Sequence, residues 1–191
     1  LEELALHVLD LIQNSLEAGA RRLVLTVVED RAQGILTVQL VDDGRGMDAS
    51  TQKRVFDPFF TSRTTRRVGL GLPLLAATAE ATGGRVELES RPGEGTRVRA
   101  LLHSAHIDCP PLGDLALTVA VTVAANPRVE FLYTHTVDER RIEFDTEELR
   151  SRLGEVPLSD PAVYQWTLAF LREQLSELHG GATVNEIPSR S

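Results

Sequence analysis

Leu4, Val8, Leu11, Ile12 and Leu16 recur at helical spacing, so the pattern predicts a helix over about residues 2–18, buried on one side. Gly19 is placed to end it. The period then falls to two. Leu23, Leu25 and Val27 predict a strand over 22–29, with Val24 and Val28 on its other face. A second strand follows over 35–41 after a polar turn from Asp30 to Gly34, and the two are expected to pair as a hairpin. Asp42-Asp43-Gly44-Arg45-Gly46-Met47 breaks the alternation with two glycines. A short helix is expected over 49–55 with Asp48 as its N-cap, then an irregular loop over 56–68. Helix returns over 70–82, where Pro73 is tolerated because a first-turn N–H has no partner inside the helix. Strands over 85–90 and 96–102 flank the turn Arg91-Pro92-Gly93-Glu94-Gly95.

Cys109-Pro110-Pro111-Leu112-Gly113 marks a junction. Beyond it, 115–124 and 128–136 are expected as strands around Asn126-Pro127, and 140–144 as a third. Helices follow over 146–153 and 160–179, the second opened by Ser159 or Asp160 and Pro161. The pattern therefore predicts an α/β chain with one domain over 1–108 and an extension or small α/β lobe over 109–191. The late strands either extend the first sheet or form a lobe of their own. Tyr164, Leu168, Leu171, Leu175 and Leu178 repeat at four-three-four-three. That seam either covers the local sheet or joins a second copy as a homodimer, and Trp166 and Phe170 widen it toward the former.

Composition narrows the classes. With 42% hydrophobic and 25% charged residues the chain has a globular balance. No apolar run approaches the ~20 residues a spanning helix needs. A net charge of -8 argues against broad nucleic-acid binding. Cys109 is the one cysteine, so neither a disulfide nor a cysteine zinc site arises within one chain. A cytoplasmic location is expected. The chain opens at Leu1 inside a helical pattern and without an initiator Met, which leaves an upstream piece open.

Three segments carry candidate chemistry. Asp10, Asn14 and Glu17 share one side of the first helix, placing a carboxylate one turn from an amide; alone, this is also what a solvated polar face looks like. Asp42 stands at a strand end where Gly44 and Gly46 let the backbone turn sharply. Gly69-Leu70-Gly71-Leu72 opens a helix, where converging N–H groups favour phosphate. His7 falls inside the first helix and is expected to be structural rather than a phosphoacceptor. His103, His106, His135 and His179 are scattered, with no metal-ligand spacing. Phe56, Phe59 and Phe60 are expected to pack.

Together these segments resemble one family, the gyrase, heat-shock-ninety, histidine-kinase and MutL ATPases. Asp10-Leu11-Ile12-Gln13-Asn14-Ser15-Leu16-Glu17-Ala18-Gly19-Ala20 is similar to their N box, especially the MutL version, and Asp42 to Met47 to the first glycine box. Val55-Phe56-Asp57-Pro58-Phe59-Phe60-Thr61-Ser62 resembles the F box of sensor kinases, and Gly69-Leu70-Gly71-Leu72 the second glycine box. Gly83-Gly84 and Gly93-Glu94-Gly95-Thr96 continue the pattern. The resemblance covers about residues 4–102. It implies a two-layer α/β sandwich of the Bergerat type that binds ATP and Mg²⁺. Asn14 would hold the metal and Asp42 the adenine. Gly44 and Gly46 would shape the base pocket, and Met47, Phe56 and Thr96 are further candidates for contact with the nucleotide. The segment 56–68 would be a lid over the nucleotide, and Gly69 and Gly71, in the box with Leu70 and Leu72, would support the phosphates. At least one of Arg63, Arg66 and Arg67 is expected to contact phosphate, the alternative being a solvated cationic loop, and Thr61 and Ser62 either add hydroxyl contacts or cap local backbone. Asp10 stands where the family carries a catalytic glutamate, one methylene longer. The implied function is a regulatory ATP-binding protein with slow hydrolysis or transfer to a His or Ser of a partner in trans. The alternatives are a nucleotide-controlled binding switch and a MutL-like DNA-associated ATPase; the negative charge counts against the last, and against nucleic acid as a partner.

Overall fold

The computed structural model describes residues 2–59 and 71–180. The period-two segments become strands β1 (Arg22–Asp30), β2 (Ile35–Asp42), β3 (Arg85–Arg91), β4 (Gly95–His103), β5 (Glu130–Val137) and β6 (Arg140–Asp145). They form one sheet in the order β3-β4-β2-β1-β5-β6. β1 and β2 pair as the expected antiparallel hairpin, from Leu23 opposite Asp42 to Asp30 opposite Ile35. β5 lies parallel to β1, with Leu23 opposite Phe131 and Glu29 opposite Val137. The strands after the junction thus extend the sheet.

Alternation assigns the two faces. Leu23, Leu25 and Val27 share a side with Leu36, Val38 and Leu40, and with Phe131 and Tyr133, and all are buried. Helices α1 (Leu4–Glu17), α3 (Gly71–Ala81), α4 (Leu115–Ala125) and α6 (Pro161–Leu178) make up the second layer. The opposite face of β3 and β4 is polar, with Arg97 and Arg99 facing Glu89 and Glu87 across the ladder. Such exposed pairs contribute little. Their use is to keep that face in water. Short helices α2 (Ala49–Arg54) and α5 (Thr146–Leu153) sit at the edges, and Asp48 caps α2 by accepting the Thr51 N–H at 2.7 Å.

One expectation is corrected: residues 115–124 are helix α4, not a strand. Val, Thr and Ala in near-alternation suggested a strand. Topology overrides that preference. β4 and β5 run parallel with β2 and β1 between them, so the chain must travel back along the sheet before β5 can start. A crossover of that kind is normally a helix. α4 is packed between α1 and α6 and buried around most of its circumference, which erases any amphipathic signal. Asp114 caps it by accepting the Leu117 N–H at 2.9 Å, and Thr118 and Thr122 donate their hydroxyls to the carbonyls of Asp114 and Thr118.

The leucine seam of α6 turns toward α4 and β6, with Leu171 and Leu178 buried. Trp166 stacks on Phe170 on its outer flank, ring centroids 5.0 Å apart. His7 is buried in α1, in keeping with a structural place. Phe56 packs against the core, whereas Phe59 is 94% exposed, against the expectation that it packs; Phe60 lies outside the described residues. Among the described residues no helix is long and apolar enough to cross a membrane.

Candidate functional site

At the end of β2 the inner face of the sheet changes from apolar to charged. Asp42 follows Val38 and Leu40 on that face and is 8% exposed. A carboxylate buried this far needs donors. Its Oδ2 accepts the Ser15 hydroxyl at 2.6 Å and its Oδ1 accepts the Gly44 N–H at 2.8 Å. Both donors are neutral, and lone pairs remain on the carboxylate for a further partner.

The loop after Asp42 is tied down on both sides. Asp43 Oδ1 accepts the N–H groups of Arg21 and Arg22 at 2.8 and 2.9 Å. Arg45 donates its N–H to the Ala18 carbonyl, and its own carbonyl accepts the Gly93 N–H at 2.7 Å. Met47 N–H donates to Ser90 Oγ, and Gln52 Nε2 donates to the carbonyls of Met47 and Ser90. Gly46 makes the turn possible: its φ is +68°, and a Cβ there would lie 1.9 Å from the Arg91 carbonyl oxygen.

These elements enclose a cavity of ≈ 470 Å³, within the range of small-molecule sites. Asn14 and Asp42, from separate segments, line the same space. Leu40, Met47, Leu72, Leu88 and Val98 supply apolar wall. Gly46 and Thr96 also border it, and Thr96 Oγ1 shares a hydrogen bond with Ser90 Oγ at 2.8 Å. Asp10 is exposed on α1 and abuts the start of α3, where a Cβ on Gly71 would come within 2.7 Å of Asp10 Cβ. Gly44, Gly71 and Phe56 stand behind or beside the lining rather than in it; Val55 takes the wall position next to Phe56. Thr61, Ser62, Arg63, Arg66, Arg67, Gly69 and Leu70 lie outside the described residues.

Sequence reading passed over Ser15, Ala18 and Arg45, which line the cavity. The signal for the first two was present: Leu11, Asn14, Ser15 and Ala18 follow the spacing of one helix face. Leu11 masks it, because its apolar side chain also fits the buried core face. Arg45 brings its guanidinium to the Glu17 carbonyl at 3.1 Å, which only the folded loop reveals. A second correction concerns histidine. His135 and His179, far apart in sequence, meet at Glu29 at the other end of β1.

Comparison with known proteins places these observations. A family model described as "Histidine kinase-, DNA gyrase B-, and HSP90-like ATPase" matches residues 2–106. Sensor protein kinase FleS of Pseudomonas aeruginosa is 40% identical over 95 residues, 50% of this chain and 23% of that protein. Sensor histidine kinase YxdK of Bacillus subtilis is 39% identical over 82 residues, 41% of this chain and 25% of that protein. The chain thus spans about a quarter or less of these relatives. A solved structure titled "Crystal Structure of N terminal domain of a DNA repair protein" superposes with a TM-score of 0.54 at 15% identity, covering 74% of this chain and 51% of the other, a likeness of fold alone.

Proposed function

This chain belongs to the histidine kinase-, DNA gyrase B- and HSP90-like ATPase family, and on that premise we propose that it binds ATP with Mg²⁺ in the cavity between α1 and the end of β2. The observation that carries the reading is the buried Asp42 carboxylate, satisfied by neutral donors and aimed into a cavity that Asn14 also lines. A carboxylate in that place accepts the exocyclic amine of adenine. Leu40, Met47 and Val98 suit the faces of the ring, and Gly44 and Gly46 keep the surrounding backbone close. At the other end the Asn14 side-chain oxygen is a hard ligand of the type Mg²⁺ takes jointly with phosphate. The ion, when bound, neutralises phosphate charge. Leu72 and Thr96 border the same space, and Gly71 opens α3, whose first N–H groups suit an anion.

Asp10 is the residue assigned to the chemistry. It stands beside Gly71, and its side chain is one methylene shorter than a glutamate. A ~1 Å shortfall at a reacting centre costs about a hundredfold in rate, so turnover is slow. The function that follows is regulatory: ATP occupancy governs a protein partner, with slow release of phosphate or transfer to a His or Ser of that partner. Relatives named as sensor kinases support the transfer branch.

Calorimetry with ATP and Mg²⁺ tests the pocket. Asp42→Asn and Asn14→Ala each weaken binding, Asp42→Asn by about a hundredfold, on the order of 2.7 kcal/mol. Unchanged affinity in both variants removes the assignment. ATP labelled on the γ-phosphate, incubated with the chain and cell extract, separates transfer to protein from release of free phosphate.

A further inference from the structure

Glu29 continues the buried face of β1 past Val27, where the pattern calls for an apolar residue. Its Oε1 meets two imidazoles, His135 Nε2 at 2.7 Å and His179 Nε2 at 2.7 Å. His135, on β5, is fully buried, and His179 caps the C-terminus of α6. Three elements that are remote in sequence therefore place three donor atoms within 4.8 Å of one another. The nucleotide cavity is not involved. Glu29 is six residue steps along β1 from Leu23, the partner of Asp42, which is ~20 Å at strand rise.

The proton inventory shows what the cluster needs. His179 Nδ1 lies 2.8 Å from the Leu175 carbonyl oxygen, which can only accept, so Nδ1 carries the hydrogen. In a neutral ring Nε2 is then a lone pair, and it faces the lone pairs of Glu29 Oε1. Something positive must stand between them, either a second proton or a metal ion. His135 has its Nδ1 at 2.7 Å from the Tyr133 hydroxyl, so its Nε2 is turned to the same point.

We propose that Glu29 Oε1, His135 Nε2 and His179 Nε2 bind a divalent transition ion of the zinc class, which clamps the end of α6 to the sheet. Two nitrogens and a carboxylate oxygen are the donors zinc takes, and a solvent molecule on the exposed His179 side completes four-coordination. An ion with bonds of ~2.0–2.1 Å sets tetrahedral donors about 3.4 Å apart. Binding would lengthen the two 2.7 Å Oε1–Nε2 distances to that value, and Glu29 is part-exposed where His135 is fully buried. Each histidine already holds a partner on its other nitrogen, Tyr133 for one and the Leu175 carbonyl for the other, the support that orients metal-binding imidazoles.

The test uses the full chain, stripped by a chelator and kept in Mg²⁺ without nucleotide, titrated with Zn²⁺ against a chromophoric competitor. The expected result is one saturable ion per chain, with His179→Gln and Glu29→Gln each lowering affinity by about a hundredfold or more, at least what loss of an outer-shell partner costs. Circular dichroism of the metal-free variants checks their fold; His179 is an exposed cap, so its variant keeps the helix. Zn²⁺ at ~100-fold over its Kd raises the unfolding temperature of the parent chain by about 5 °C and leaves His179→Gln unmoved. No one-to-one uptake, or equal affinity in parent and both variants, overturns the site and assigns the bridging charge to a proton on His179.

Discussion

The two ends of β1 solve one problem in opposite ways. Each has a carboxylate on the buried face of the sheet, Asp42 beside Leu23 and Glu29 beside Val27. Asp42 is held by a hydroxyl and a backbone N–H, donors that never titrate near neutrality. Glu29 is held by two imidazoles, whose charge and ligation are variable. The first arrangement leaves a carboxylate lining a cavity and suits a ligand that comes and goes. The second joins three structural elements and suits an ion that stays. What differs is the neighbour, not the carboxylate.

Three substitutions sharpen or break this contrast. Gly46→Ala should do the most damage at the cavity end. It places a methyl group against the Arg91 carbonyl in a left-handed conformation, and a loss of about 3 kcal/mol is expected in urea unfolding. Binding of Zn²⁺ at Glu29 should survive in the fraction that remains folded; joint loss of both would show that the ends are not independent. Ser15→Ala comes next. It removes a neutral donor from a buried carboxylate at a cost of about 2 kcal/mol. Urea unfolding of the variant checks it, and stability equal to that of the parent chain would contradict a structural clasp around Asp42.

Asp114→Ala is the smallest. Asp114 caps α4 and also accepts from Arg172 of α6 at 2.7 Å, so it anchors the helix that carries His179. Its burial raises the carboxyl pKa, but hydrogen bonds from Arg172 and the Leu117 N–H, together with the Arg172 charge, bring it below the usual value. Because the folded pKa is depressed, the contribution is complete above the unfolded pKa and fades as pH falls through the folded one. The variant should therefore lose about 1 kcal/mol at neutral pH and differ little from the parent in acid. Equal deficits at pH 7 and pH 3 would break the assignment.

How much of this was legible in the chain varies by residue. α1, the β1–β2 hairpin and the Asp48 cap follow from period and local chemistry, because each depends on neighbours within a few positions. α4 does not, since its helical state answers to a crossover between parallel strands and to burial on most sides, neither of which leaves a local mark. Asn14 and Asp42 could be picked out as candidates from their segments; that they line one cavity is a property of the fold. Ser15 was readable from helix spacing and was missed through assignment to a single face.

The amino-acid order by itself determined the family, the α/β class and the positions where glycine is required, because these depend on short-range sterics and on motifs in sequence order. Only the tertiary structure decided that β5 joins β1 in parallel, that Ser15 clasps Asp42, and that Glu29, His135 and His179 share a point. Those contacts come from segments remote along the chain, and only folding on a common sheet sets their distances.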